Sequence, residues 1–374
     1  MKPSSNTEDF STIFNRYTQR LALFKSQTSI KRKVIDLEPH GDYIWNYIEI
    51  GPKNQLPIIF FPPAGCPLEI YYEMFLSMEN ADFRAIIVKN PPVESHDEWI
   101  HIFSKFLEKK KIERFHVFGT GLGAFLTLLY ARVHPQQIAS FVILNGFAKN
   151  NNSESSSLQL SFVPSFIQRR NFTGRYKSGS TQTTTPKILA AIDFACGLIS
   201  QVPKKEIGSD QTLMHRPAFA DLNMVPDENV LLLRTNDFST EDPKLLDSLW
   251  KGFTAAKKVD LKQGGDFAMI TEADEISMYL KVHLRKYSFE LLPQLNIDPK
   301  HADLPTTLKS LGQEDDFLYE PTPSTDQHPL HGIHPALMDI PAYYLEDPEP
   351  QENGPVEDEE LDIDLEDDSG HDEG

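Results

Sequence analysis

The run Phe118-Gly119-Thr120-Gly121-Leu122-Gly123-Ala124 lies between a short apolar segment and a helix-forming one. A strand-to-helix turn with small residues at alternate positions is the setting of the pattern G-x-S-x-G, which lifts a nucleophile onto a strained corner for attack on a carbonyl carbon. Gly119 and Gly123 supply the small flanks that such a corner needs, because helix and strand pack closely there. The central position should carry a hydroxyl or a thiol. It is Gly121, so there is no nucleophile to activate. Thr120 and Leu122 complete the corner, and backbone N–H groups of Leu122 and of Ala64-Gly65 would remain to face the old site as an oxyanion hole.

In this chemistry an acid and then a histidine follow the nucleophile along the chain. Asp237, just after an apolar run, fits the acid, whereas the loop Gln263-Gly264-Gly265-Asp266-Phe267-Ala268 carries Asp266 where the histidine is expected. A carboxylate at neutral pH only accepts hydrogen bonds, and it is shorter than an imidazole, so it cannot shuttle a proton across the same gap. Loss of serine or histidine alone costs about 10⁶ in turnover in a hydrolase of this type. Gly121, Asp237 and Asp266 are therefore expected to be vestigial positions without catalytic work. The alternative is an atypical hydrolase in which Asp266 and Asp237 meet, one of them with a raised pKa, and activate water directly.

The elements that must position these residues can be traced from the N-terminus. Residues 1–26 read as a polar, partly helical lead-in. Ile44–Ile50, Pro57–Phe61, Phe83–Lys89, Phe115–Phe118, Phe141–Leu144, Asn229–Leu233 and Ala256–Leu261 read as strands, each a short apolar run ended by turn residues. Ile70–Leu76, His96–Lys111, Leu122–Val133, Lys187–Ile199 and Glu272–Lys286 read as helices. Trp99 and Phe103 fall on the apolar face of the second of these, and Lys109-Lys110-Lys111 at its end, where the helix dipole favours cations. Strands alternating with helices imply a mostly parallel central sheet flanked by helices. With the corner motif, the expected fold is an α/β-hydrolase fold over residues 27–292. The pattern breaks over about 149–205, read as a lid-like insertion, and residues 293–374 read as a Pro-containing acidic, largely disordered tail.

Charge is distributed unevenly. The net charge of the 374 residues is −19, but 21 of the 55 acids lie beyond Lys309, the last basic residue, which leaves 34 acids against 36 basic residues in residues 1–309. A nearly neutral body argues against a nucleic-acid footprint. The polar start is no signal peptide, no apolar stretch is long enough to span a bilayer, and two unpaired-looking cysteines fit a reducing, cytoplasmic setting. No cofactor or metal is expected. The glycines also match G-x-G-x-x-A, but the next strand ends at Leu144-Asn145-Gly146 without the acid that would hold a ribose. His96, His116 and His134 share no ligand spacing, and no histidine is fixed beside Cys66.

The stretch from about Lys31 to Lys309 resembles the maspardin family of divergent α/β-hydrolase-fold proteins. The matching segments are Ile58–Gly65 (IIFFPPAG), Phe115–Phe125 (FHVFGTGLGAF), Ile143–Phe147 (ILNGF), Ala190–Phe194 (AAIDF) and Leu261–Phe267 (LKQGGDF). The resemblance implies a cytosolic protein associated with endosomal or trans-Golgi membranes through its partners, and a role in protein interaction and sorting. Members of that family keep a serine at the corner, where this chain has Gly121. The tail lies outside the resemblance. Within it, Leu361-Asp362-Ile363-Asp364-Leu365 alternates apolar and acidic residues. Leu361, Ile363 and Leu365 are the candidate motif of a segment that adds a strand to a basic-flanked sheet edge, against the plainer reading of a solubilising tail.

Overall fold

The computed structural model describes residues 8–37, 41–78, 83–150, 165–178, 184–238 and 242–288. The acidic tail, including Leu361, Ile363 and Leu365, and the polar run 151–164 lie outside the described residues.

Eight strands form one sheet: β1 (Lys31–Leu37), β2 (Gly41–Ile50), β3 (Pro57–Phe61), β4 (Arg84–Lys89), β5 (Phe115–Thr120), β6 (Ile138–Leu144), β7 (Val230–Thr235) and β8 (Lys257–Leu261). Their spatial order is β1-β2-β4-β3-β5-β6-β7-β8. Only β2 runs against the others, pairing antiparallel with both β1 and β4. The middle strands β3, β4, β5 and β6 are buried along their whole length. Helices cover both faces, which is why their sequences are continuous apolar runs rather than alternating ones.

The principal helices are α1 (Phe10–Gln27), α2 (Tyr72–Ser77), α3 (His96–Lys110), α4 (Leu122–Val133), α5 (Ser165–Ser178), α6 (Pro186–Ile199), α7 (Lys204–His215), α8 (Pro243–Gly252) and α9 (Ala273–Ser288). Their starts follow local chemistry. Ser95 caps α3 by accepting from Glu98 N–H, and Thr185 caps α6, whose first residue is Pro186. α4 is buried on every side from Leu122 to Ala131, as a helix behind the centre of a sheet must be.

Two boundaries expected from sequence are corrected. Of the expected lead-in 1–26, the described part from Phe10 onward is not outside the domain: α1 buries Ile13, Tyr17, Leu21 and Phe24, and the rings of Phe14 and Tyr17 lie 5.9 and 5.8 Å from that of Phe194 on α6. The insertion does not close at 205, which falls inside α7; the chain regains the sheet only at β7. Trp99 and Phe103 are fully buried in an aromatic cluster with Trp45 and Phe61.

Candidate functional site

The corner sits where the sequence placed it. β5 ends at Thr120, α4 begins at Leu122, and Gly121 between them has φ 52° and ψ −118°. Only glycine takes such angles without strain. Its neighbours are small for a different reason. A Cβ on Gly119 would stand 2.5 Å from the Ala124 Cα, and one on Gly123 2.3 Å from the Phe61 carbonyl oxygen. Helix and strand leave no room there. A Cβ on Gly121, by contrast, would meet nothing nearer than Pro63 Cβ at 3.6 Å, an ordinary contact. The corner has the space and the backbone of a nucleophile position and lacks only the side chain.

Leu122 is the first residue of α4, so its N–H has no acceptor within the helix, and the residue lines the cavity at the corner. The loop after β3 begins Pro62-Pro63, two residues without N–H, and Ala64 is the first that can donate. The expectation for Gly65 is corrected: its N–H donates to Asp210 Oδ2 at 2.8 Å and is spent there. The hydroxyl of Tyr71 ties the two loops, donating to Phe61 O at 2.8 Å and lying 2.9 Å from Thr120 Oγ1.

Asp237 and Asp266 occupy different places. Asp237 Oδ2 accepts from Gly264 N–H at 3.2 Å and Oδ1 from Gly265 N–H at 2.9 Å. Its carboxylate thus holds the backbone of the loop that carries Asp266. Asp266 is buried on a single 3₁₀ turn and lines a cavity with Thr120, Gly121 and Asn145, whereas Asp237 is not among the lining residues. Two acids fronting the cavity together, as the water-activation reading needs, are therefore not the arrangement found.

Sequence reasoning missed Asn145 and Thr235. Asn145 follows β6 with φ 48°, a conformation asparagine tolerates better than most residues. Its Oδ1 accepts from Thr235 N–H at 2.9 Å, its Nδ2 donates to Thr235 Oγ1 at 3.1 Å, and the Thr235 hydroxyl donates to Gly265 O at 3.0 Å. This chain of bonds fixes the ends of β6 and β7 to the Asp266 loop. The one available signal was Asn-Gly at a strand end.

The insertion forms one wall of the cavity, which stays partly open. Phe172 and Tyr176 of α5 and Met214 of α7 line it. The Phe172 ring is so near Gly65 that a Cβ there would stand 3.0 Å from it. Its volume is about 30 Å³, room for roughly one or two waters.

Beneath the β3 loop is a second polar group that the sequence did not reveal. Lys89, at the end of β4, is 1% exposed, and its Nζ lies 2.9 Å from Asp210 Oδ2 and 3.8 Å from Glu206 Oε2, both on α7. Burial pulls the Lys89 pKa down, but the two carboxylates outweigh it and hold it above the usual lysine value. Burial pushes Glu206 up to about 7, against the pull of Lys89. Ser209 adds a two-way clasp, accepting from Val93 N–H and donating to Val93 O, each at 2.8 Å.

The other candidates have structural partners. Burial pushes the Cys66 thiol far above its usual value, and a neutral thiol is a poor nucleophile. His96 Nε2 donates to Leu213 O at 2.9 Å, His116 Nδ1 lies 2.8 Å from Ser140 Oγ, and His134 Nε2 lies 3.1 Å from Ser104 Oγ. Among the described residues no group of three or more His, Cys, Asp or Glu is placed to hold a metal ion. Nor is any helix among them long and apolar enough to cross a membrane.

Comparison with known proteins agrees with this geometry. A family model described as the alpha/beta hydrolase fold matches residues 87–171, the stretch that carries the corner. Among solved structures, an esterase from Thermogutta terrifontis is similar with a TM-score of 0.57 at 13% identity, covering 68% of this chain and 98% of that one. An enol-lactonase from Burkholderia xenovorans LB400 has a TM-score of 0.55 at 14% identity, covering 68% and 100%. At such identities these two speak for the fold alone. Maspardin from Danio rerio is 26% identical over 269 residues, covering 71% of this chain and 85% of that protein. Human maspardin is 24% identical over 269 residues, covering 71% and 86%. A likeness running over most of those proteins, on a sheet and corner of this kind, supports kinship with the maspardins within the α/β-hydrolase superfamily.

Proposed function

We propose that this protein is a non-catalytic member of its fold that works as a protein-interaction adaptor, in endosomal or trans-Golgi sorting or signalling, from the cytoplasmic side and through partners rather than a membrane span. The observation that carries the reading is Gly121: the corner keeps its strained backbone and its space, and offers no atom to attack a carbonyl. Asp266 at the expected base position supports it, because a carboxylate cannot relay the proton as imidazole does. The small volume left over the corner, about 30 Å³, supports it further. No cofactor or metal enters this reading. The partner-facing parts would be the insertion and the acidic tail.

A second reading has one observation in its favour. Asp266 is buried against polar Thr120 and Asn145 in the cavity, where a carboxylate could draw a proton from water. Purified full-length protein assayed on a panel of activated esters separates the two. The adaptor reading expects no turnover and no adduct with a serine-directed phosphonate. Turnover that Asp266→Ala abolishes would overturn it.

A further inference from the structure

β1 is an edge of the eight-stranded sheet: β2 pairs with one side, and no strand among the described residues pairs with the other. An unpaired edge is a template for another strand, and charged residues, lysine above all, decide which strands it admits. β1 opens Lys31-Arg32-Lys33, with Lys31 and Arg32 exposed and Lys33 half-buried. A fourth cation reaches the same edge from the end of α3, where Lys109 Nζ donates to Val34 O at 3.1 Å. Val34 is 44% exposed, and so is Ile44, its cross-strand neighbour on β2. Val34, Ile44 and Arg32 therefore share one face of the edge, and Lys31 and Lys33 lie on the other with buried Ile35. The opposite end of β1 is acidic, with Asp36 facing Asp42 across the pair.

This pattern is the complement of a segment in the same chain. Leu361-Asp362-Ile363-Asp364-Leu365 alternates apolar and acidic residues, is followed by Glu366-Asp367-Asp368, and belongs to a stretch, residues 310–374, with no lysine or arginine. We propose that this segment docks on the chain's own β1 edge as an added antiparallel strand. With Ile363 opposite Val34, Asp364 falls opposite Lys33 and Glu366 opposite Lys31. Leu361, Ile363 and Leu365 then share one face, extending the row Val34–Ile44, because side chains two apart lie on the same side of a strand. The neutral Leu361, not an acid, meets Asp36. A basic edge repels basic strands and accepts this one, so the guard against edge pairing becomes the selector. Reach is no obstacle: residues 289–360 could span at most about 240 Å when extended. The docked state covers both the basic edge and the motif, and a partner for either must displace it.

The inference rests on reading the tail as an interaction segment and not on the empty corner, so it stands or falls apart from any esterase assay. Hydrogen exchange of the full-length protein tests it. The amides of residues 31–37 are expected to exchange at least tenfold more slowly in the parent than in the variant Leu361→Ser/Ile363→Ser/Leu365→Ser, whose changes touch no described residue. Lys33→Glu should lose the same protection, and Lys33→Glu with Asp364→Lys should regain it. Protection should not vary with protein concentration. Equal exchange in parent and triple variant overturns the proposal. Protection that fades on dilution also overturns it, in favour of the tail of a second copy.

Discussion

Asp210, on α7, accepts a 2.8 Å hydrogen bond from the N–H of Gly65, in the loop after β3. The same oxygen accepts from the buried ammonium of Lys89 at 2.9 Å. One carboxylate thus fastens the insertion to the loop beside the corner and neutralises a cation with almost no access to water. Taking away one partner of such a pair leaves a bare buried charge, which costs about 3–5 kcal/mol. Asp210→Ala is expected to destabilise by that order in urea unfolding, and Lys89→Met with Asp210→Leu to recover much of the loss. If Asp210→Ala unfolds at the parent's midpoint, the clasp holds nothing.

The flanks of the corner make a steric prediction. Gly123→Ala puts a methyl 2.3 Å from the Phe61 carbonyl oxygen, a backbone atom that cannot swing aside, and Gly119→Ala puts one 2.5 Å from Ala124 Cα. Each should cost several times what Gly121→Ala costs. At Gly121 the only penalty is the positive φ, about 1–3 kcal/mol. Thermal unfolding of the three variants checks the order. A Gly121→Ala variant as damaged as the other two would mean that the corner has no spare room.

α1 gives the clearest case of a fold element that was hard to read. Leu21 is wholly buried, as are Ile13, Tyr17 and Phe24 nearly so, at spacings of four, four and three. Leu21→Ala should cost about 2–5 kcal/mol, measured by urea unfolding. A loss below 0.5 kcal/mol would restore α1 to the status of a detachable lead-in.

What was legible followed from local rules. Pro57–Phe61 and Leu122–Val133 were found to the residue, because one is an apolar run stopped by Pro62-Pro63 and the other an apolar helix starting at a glycine corner. Gly119 and Gly121 were legible because the corner itself dictates them, whereas Gly123, held small by Phe61 on β3, was legible only through the pattern it completes. The stripe on α1 was masked by polar residues between its four anchors. β1 hid because, among residues 31–36 of this charged edge strand, only Ile35 turns fully inward. α7 hid more deeply. Its buried side carries Glu206, Ser209 and Asp210, and what makes polar residues tolerable there is Lys89 and Gly65, more than a hundred residues away. No pattern within the helix announces a partner that distant.

Two histidines set an acid limit. Burial pulls His116 down to about 3, helped by His283 and Arg114, and pulls His283 down to about 4, helped by Lys286 and Lys257. In the unfolded chain both titrate near 6.5. Between about pH 6.5 and 4 the unfolded state binds protons that the folded state refuses, so stability is whole above 6.5 and falls as the pH drops. Each group adds up to about 1.4 kcal/mol per pH unit to that slope. Unfolding free energies at pH 7, 6 and 5 should fall less steeply for His283→Gln than for the parent. Parallel lines would show that His283 protonates as readily in the fold as outside it.

The sharpest prediction concerns what the corner would need to work again. Gly121 has the backbone of a nucleophile position and Asp266, proposed to hold the base position, lines the same cavity, while Asp237 grips the Asp266 loop through Gly264 and Gly265. Nucleophile and base act as a unit, so restoring one without the other gains almost nothing. Gly121→Ser alone should stay inert to a serine-directed phosphonate, since no group takes its proton. Asp266→His alone has nothing to activate. The double variant Gly121→Ser/Asp266→His should be labelled at residue 121, with Leu122 N–H, and Ala64 N–H beside it, available to the oxyanion. Mass spectrometry of the adduct reads the result, and circular dichroism of each variant separates loss of fold from loss of reaction. A folded double variant that takes no label would mean that more than two side chains separates this corner from a hydrolase. Labelling of the parent at any residue lining the cavity would mean that the missing serine had been replaced by another nucleophile.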